Sequence, residues 1–171
     1  MTVNHFTIAR KASDEGERLR IVAAYPLERI TDDPVLAKLV SETAALFQVP
    51  IALVSIVTDD QQCFPACVGL DVSSTTRSIS FCGHAILGNE AMIVPDAHLD
   101  PRFAGNPLVI GPPHVRFYAG ARLLSPEGVA IGTLCVIDTV PRPVETFDLP
   151  RLETQAEAVM YRLGKLREQW S

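Results

Sequence analysis

The chain has 171 residues, 47% of them hydrophobic and 20% charged, with 15 Lys+Arg set against 20 Asp+Glu for a net charge of −5. This is the composition of a folded globular chain rather than a disordered tail or a fibre. At this length folding buries roughly 68–70% of the unfolded surface, so a core needs neither disulfide nor metal. No window is dense in basic residues, which argues against a groove that follows a phosphate backbone. The longest apolar runs, such as Ile51 to Val57, fall far short of the ~20 residues of a membrane-spanning helix, and the start MTVNHFTIARK has no apolar signal core. A cytoplasmic protein with reduced thiols is expected, partnered by neither nucleic acid nor membrane.

Residues 1 to 14 carry little pattern beyond Phe6 and Ile8 and form either a mobile arm or a strand docked late, ahead of a single domain over 15 to 171. Leu19, Ile21, Val22 and Ala23 among charges predict a short helix closed by Pro26. A second helix is capped by Asp32 or Asp33, takes Pro34 in its first turn and carries Leu36, Leu39, Val40, Thr43 and Phe47 at helical spacing until Val49-Pro50 stops it. The β-branched run IALVSIV from Ile51 to Val57 predicts a central strand. Gln62 to Leu70 returns antiparallel, with Pro65 placing this partner at an edge or bulge because it lacks a ladder donor.

Asp71 to Ser80 reads as Ser/Thr-rich loop, followed by a short helix in SFCGHAILGNE capped by Ser78 or Ser80, and by a short strand over Ala91 to Pro95. The stretch DAHLDPRFAGNPLVIGPPH holds four of the chain's 13 prolines and two of its ten glycines and predicts a long loop, a kind of segment that tends to be functional. Val115 to Leu124 and Val129 to Asp138 form a hairpin about Ser125-Pro126-Glu127-Gly128. The last helix, Asp148 to about Gln169, aligns Leu149, Leu152, Ala156, Val159, Leu163, Leu166 and Trp170 on one seam. This order predicts an α+β sandwich with a largely antiparallel sheet.

Chemistry is sparse in the pattern. Cys82 and His84 stand two apart beside Phe81, but on a helix residues i and i+2 point about 200° apart, so they face one site only in an irregular turn. A buried thiol and a hydrogen-bonded histidine are the simpler reading. Cys63 and Cys67 lie about 13 Å apart along a strand, too far for a disulfide or a shared ion unless a bulge at Pro65 folds them together. No second Cys/His pair has ligand spacing, so no structural zinc is expected. Cys135 reads as a core thiol. On the long loop, Arg102 and Phe103 either close over a ligand or belong to a loop pinned by an ion pair from Arg102 to Asp96 or Asp100. Alternation sends Phe117 and Tyr118 to opposite faces of their strand. No phosphate loop, nucleophile elbow, metal-binding helix or paired carboxylates are present, so no catalytic residue is assigned.

The segments IALVSIVTDDQQCF, SISFCGHAIL, IVPDAHLDPRFAGNPLV and RFYAGARLLSPEGVAIGTLCVID together resemble a GAF domain, of the subgroup found in bacterial sensor histidine kinases and diguanylate cyclases, over about Arg18 to Leu166. The resemblance implies an antiparallel sheet of five or six strands, terminal helices packed on one face, and a small-molecule pocket on the other, roofed by residues 71 to 114. On that basis Phe81, Cys82, His84, Arg102, Phe103, Phe117 and Tyr118 are the expected pocket residues. SISFCGH replaces the PASDIP-like motif of bilin-binding members and no cysteine lies between Cys82 and Cys135, so no covalent bilin is expected. The NKFDE signature of cyclic-nucleotide binders is absent. FCGHA resembles the VCGxA segment of GAF-type free methionine sulfoxide reductases at Cys82, but DPRFAGNP lacks their reactive loop cysteine.

The resulting expectation is a stand-alone sensory module of bacterial signal transduction that binds a small ligand or a protein partner, with no cofactor, metal or catalytic activity of its own. The alternative is a thiol-based redox enzyme or sensor using Cys82 with Cys63, Cys67 or Cys135. The last helix would span roughly 33 Å against about 20 Å for a strand. Leu163, Leu166 and Trp170 are therefore expected to outrun the sheet and to pair in a homodimer through the terminal helices.

Overall fold

The computed structural model describes residues 5–169. Three helices come first: α1 (Glu15–Val22), α2 (Leu27–Ile30) and α3 (Pro34–Phe47). Asp33 starts α3 by accepting from the Leu36 amide at 3.0 Å while also holding Arg162 at 2.7 Å, so one carboxylate caps a helix and ties it to the last one. Strands β1 (Ile51–Val57), β2 (Gln61–Val68) and β3 (Ser74–Thr76) follow, then α4 (Phe81–Ala85), β4 (Met92–Val94), α5 (Pro107–Ile110), β5 (Phe117–Leu124), β6 (Ala130–Asp138) and α6 (Leu149–Gln169). The six strands form one antiparallel sheet in the order β3-β2-β1-β6-β5-β4.

The sheet is covered on both sides, as the uninterrupted burial of β1 and β6 requires. On one face α1, α3 and α6 bury Ile21, Leu36, Val40, Leu152, Val159 and Leu163 against Val54, Ile56, Leu134 and Val136, each such side chain contributing about 1.5–3 kcal/mol. The other face carries α4, α5 and the loops between residues 70 and 116, packed on Leu53, Tyr118, Cys135 and Ile137.

Several local expectations meet their physical reason here. Between the pairs Val54↔Ala66 and Ile56↔Cys63, β2 has one residue more than β1, so the bulge falls at Phe64-Pro65. It does not bring the neighbouring cysteines together. Cys67 lies opposite Leu53 on the loop-covered face and Cys63 opposite Ile56 on the helix side, so the bulge inverts their relative orientation. The edge strand β3 was hidden in sequence because Ser74, Thr75 and Thr76 read as loop; its short ladder to β2 alone defines it.

The expected overhang of α6 is not found. Leu163 and Leu166 are 0% and 4% exposed within this chain, because α1, α2 and Tyr25 extend the core past the end of the sheet. The ground for a second copy at these residues therefore falls away, and Trp170 lies outside the described residues. The N-terminal arm is docked from His5 onward: Thr7 N–H donates to the Arg102 carbonyl at 2.9 Å and Gly105 N–H to the His5 carbonyl at 2.9 Å. An ionic triad ties α1 to the rest. Glu15 receives Arg18 at 2.8 Å and Arg77 at 2.5 Å, and Arg77 also reaches the Thr58 carbonyl at 3.0 Å. Both arginines are buried, at 3% and 4% exposure.

Candidate functional site

The register of the sheet builds the site. Residues directly opposite one another share a face, so Cys67, Leu53, Cys135 and Gly120 make one row across four strands, flanked on one side by the row of Ile51, Ile137 and Tyr118 and on the other by that of Ser55 and Thr133. Gly120 has no side chain to contribute, and that vacancy is used. A Cβ there would overlap the Tyr118 phenol, whose ring lies across the glycine with its hydroxyl in the middle of the face.

Above this platform, Ser80 caps α4 by accepting from Gly83 N–H at 3.0 Å while donating to the Arg77 carbonyl at 2.7 Å. The helix turns Cys82 down and His84 away. Thr133 Oγ1 donates to Cys82 Sγ at 3.0 Å, and the Tyr118 hydroxyl lies 3.3 Å from it. Burial alone pushes the Cys82 thiol up, but hydrogen bonds from Cys135, Thr133, Tyr118 and Ser55 to the thiolate outweigh it and bring the pKa down to about 6. Burial and the neighbouring Cys82 charge hold Tyr118 and Cys135 well above their ordinary values.

A cavity of about 240 Å³ opens beside the cluster. Its floor is Leu53, Cys135 and Ile137, and its walls include Phe64, Phe81 and Tyr118. Leu108, Pro112, Pro113 and Val115 close one side, while Leu70, Asp71 and Val72 form a rim at which Asp71 and Val72 are exposed. Gln62 supplies an amide, donating from Nε2 to Thr75 Oγ1 at 2.6 Å and accepting from Ser55 Oγ at 3.3 Å.

Of the residues expected to line a pocket, Phe81, Cys82 and Tyr118 do so and the other four do not. Phe117 faces the helices, its ring tilted against Phe147 with centroids 5.3 Å apart, because the alternation that turns Tyr118 toward the cavity turns its neighbour away. Phe103 is wholly buried behind Phe81, ring on ring at 4.0 Å, and fixes that wall from outside. Arg102 is pinned bidentately by Asp100 at 3.0 and 2.7 Å and lies over Phe103, away from the cavity. His84 joins its Nε2 to the Thr7 carbonyl at 2.9 Å, with burial holding its pKa below the ordinary value. The sequence reading missed Leu53, Gln62, Phe64, Cys135 and Ile137. The available signal was Gly120 inside a strand, which marks a close approach on one face and so identifies the face of its cross-strand partner Cys135.

A sequence model of the GAF domain matches residues 33–164. The chain belongs to the GAF family. This GAF domain is 45% identical over 155 residues to a cyclic di-GMP phosphodiesterase of Pseudomonas aeruginosa, a match that takes in 90% of the chain and 26% of that relative, so the chain spans about a quarter of the relative's length. Among solved structures it resembles the free methionine-R-sulfoxide reductase of Neisseria meningitidis bound to its substrate, at 21% identity and a TM-score of 0.64, covering 99% of each chain. It also resembles the GAF domain of an Acinetobacter phosphoenolpyruvate-protein phosphotransferase, at 14% identity and a TM-score of 0.58, covering 92% of this chain and 95% of the other. These two likenesses show the fold. The expectation of a module without catalytic activity is overturned by the same comparisons, since the 45% relative is named as an enzyme and the fold is also that of a reductase. The family and its relatives place the domain in signalling. Among the described residues, no helix is long and apolar enough to cross a membrane, and no group of three or more His, Cys, Asp and Glu is arranged to hold a metal ion.

Proposed function

We propose that this GAF domain is a sensory element of cyclic di-GMP turnover: it binds a small ligand in the cavity over the sheet and thereby sets the activity of a cyclic di-GMP phosphodiesterase. The observation that carries the reading is the 45% identity to a phosphodiesterase over 90% of the chain. The architecture supports it, because α6 and α3 pack on the reverse of the same strands that floor the cavity, so a shift of β1 or β6 on ligand binding reaches both helices. The test is a chimera in which this chain replaces the 155-residue stretch it matches in the Pseudomonas aeruginosa enzyme. The chimera is expected to hydrolyse cyclic di-GMP at a rate distinct from that of a deletion lacking the stretch, and filling the cavity with Leu53→Trp is expected to change that rate. A chimera indistinguishable from the deletion refutes the proposal.

A second reading is favoured by the Cys82 cluster. A thiolate at an apolar cavity, hydrogen-bonded to Cys135, is equipped for thiol-dependent reduction of a small oxidised substrate. Two thiols would give up two protons and two electrons to form a disulfide, releasing the substrate's oxygen as water. Incubation with methyl phenyl sulfoxide, an uncharged sulfoxide, followed by intact mass is the check: loss of two hydrogens, absent in Cys135→Ser, supports it, and an unchanged mass excludes it.

A further inference from the structure

The cavity's chemistry restricts what can occupy it. Its 240 Å³ lies below the roughly 300–1,000 Å³ of sites for drug-sized ligands. No lysine or arginine lines it, and the charged residue on its rim is Asp71. The arginines nearest to the roof are committed elsewhere, Arg77 to Glu15, Arg102 to Asp100 and Arg116 to Asp96. A phosphate or carboxylate entering this space would lose its hydration with no cation to replace it. The walls instead offer the faces of Phe81, Tyr118 and Phe64, with Phe81 braced by Phe103 at 4.0 Å. At the polar end, Gln62 spends one amide hydrogen on Thr75 and its oxygen accepts from Ser55, leaving a second hydrogen for an incoming acceptor.

We infer that the cavity takes a compact, uncharged, mainly apolar molecule of the small-aromatic class, bearing one hydrogen-bonding group that meets Gln62 and the Cys82–Tyr118 pair, and that it excludes the cyclic dinucleotide itself. The inference rests on the reading of this cavity as the sensory site, and it separates the signal that is sensed from the nucleotide that is turned over. A cyclic dinucleotide is too large for the space and brings two phosphodiester charges to a rim that presents a carboxylate. Asp71 then acts as a specificity residue. It stands exposed at the entrance, where it repels anions without contributing to the core.

Benzyl alcohol and benzoate are matched in size and differ in charge, which makes them suitable probes. Each is titrated into the full chain and followed by the methyl resonances of Leu53 and Ile137, with cyclic di-GMP titrated in parallel. Benzyl alcohol is expected to shift both methyls saturably, and benzoate and the dinucleotide to leave them in place. Asp71→Lys, at an exposed position that does not endanger folding, is expected to admit benzoate, which then shifts both methyls saturably, while benzyl alcohol binding changes by less than about twofold. Leu53→Trp is expected to abolish the benzyl alcohol shift, read in that variant at the Ile137 methyl. The inference is overturned if benzoate shifts the methyls as strongly as benzyl alcohol, if cyclic di-GMP shifts them, or if benzyl alcohol gives no saturable shift up to its solubility. The phosphodiesterase chimera is scored independently, so loss of the regulatory reading leaves these outcomes unaltered, and failure of the probes leaves the chimera result standing.

Discussion

Replacing Glu15 by Gln removes the one negative charge between two buried arginines while keeping the side chain's shape. Burial works to raise the Glu15 carboxyl, but hydrogen bonds and charge from Arg18 and Arg77 outweigh it and lower its pKa from 4.5 to about 2. That difference corresponds to about 3 kcal/mol of folding stability at neutral pH, in line with the 3–5 kcal/mol typical when a buried pair is left with one partner. For a chain of this length the loss lowers the melting temperature by about 6–12 °C. The sign of the pH dependence follows from the depressed folded-state value. The contribution is fully present above the unfolded value of 4.5, falls to about half by pH 3 and is lost below about 2. Urea denaturation followed by circular dichroism at pH 6 and pH 3 should therefore show the gap between Glu15→Gln and the parent narrowing as the solution is acidified. A loss below about 1 kcal/mol at pH 6, or a gap that stays constant between the two pH values, would refute the account of the triad.

Tyr118→Phe removes one donor to the Cys82 thiolate and should raise that thiol from about 6 by about 1–2 pKa units, read from thiolate ultraviolet absorbance against pH with Cys82→Ser as blank; an unmoved midpoint counts against the cluster. Gly120→Ala forces the Tyr118 ring off its seat and is expected to cost about 1–3 kcal/mol in urea and to raise the same midpoint, so a stable variant with unchanged titration would show that the glycine is dispensable. Asp33→Ala, which loses both the α3 cap and the Arg162 pair, should cost about 2 kcal/mol by thermal melt, whereas a change within about 0.5 kcal/mol would contradict that double role. Arg102→Ala should leave benzyl alcohol binding within about twofold, because the side chain pairs with Asp100 away from the cavity; a tenfold loss would return Arg102 to the site.

The parts of the fold written in local pattern were legible. Asp33-Pro34 and the helical spacing through Phe47 delimit α3, the β-branched run Ile51–Val57 is β1, and SPEG turns the β5–β6 hairpin. What local pattern lacks is register. Alternation shows that Phe117 and Tyr118 diverge, but only the pairing of Tyr118 with Ile137 and of Gly120 with Cys135 decides which of them meets the cavity. Gln62 is a polar residue on a strand whose partner, Ser55, comes from the neighbouring strand across a turn, and nothing near it in sequence marks it as buried. The seam of α6 misled for a related reason: helix length against strand length predicts an overhang, yet the space past the sheet is filled by Ile21, Val22, Ile30 and Tyr25 from segments over a hundred residues away.

The sheet consists of two ladders, β3-β2-β1 and β6-β5-β4, joined only along β1 and β6, whose partners Leu53 and Cys135 stand about 80 residues apart in the chain. Closing that seam carries the longest loop of any strand pairing in the sheet, and long-range pairing of this kind is the slow part of assembling an antiparallel sheet. The cavity straddles the seam, with Leu53 and Phe64 from one ladder and Tyr118 and Cys135 from the other. Neither half can hold a ligand alone, so occupancy acts as a clasp: a ligand at one hundred times its dissociation constant adds about 2.7 kcal/mol against separation of the halves. Under conditions where the domain is close to unfolding, the concentration of its ligand would govern how much of the protein survives proteolysis as well as what the surviving molecules do.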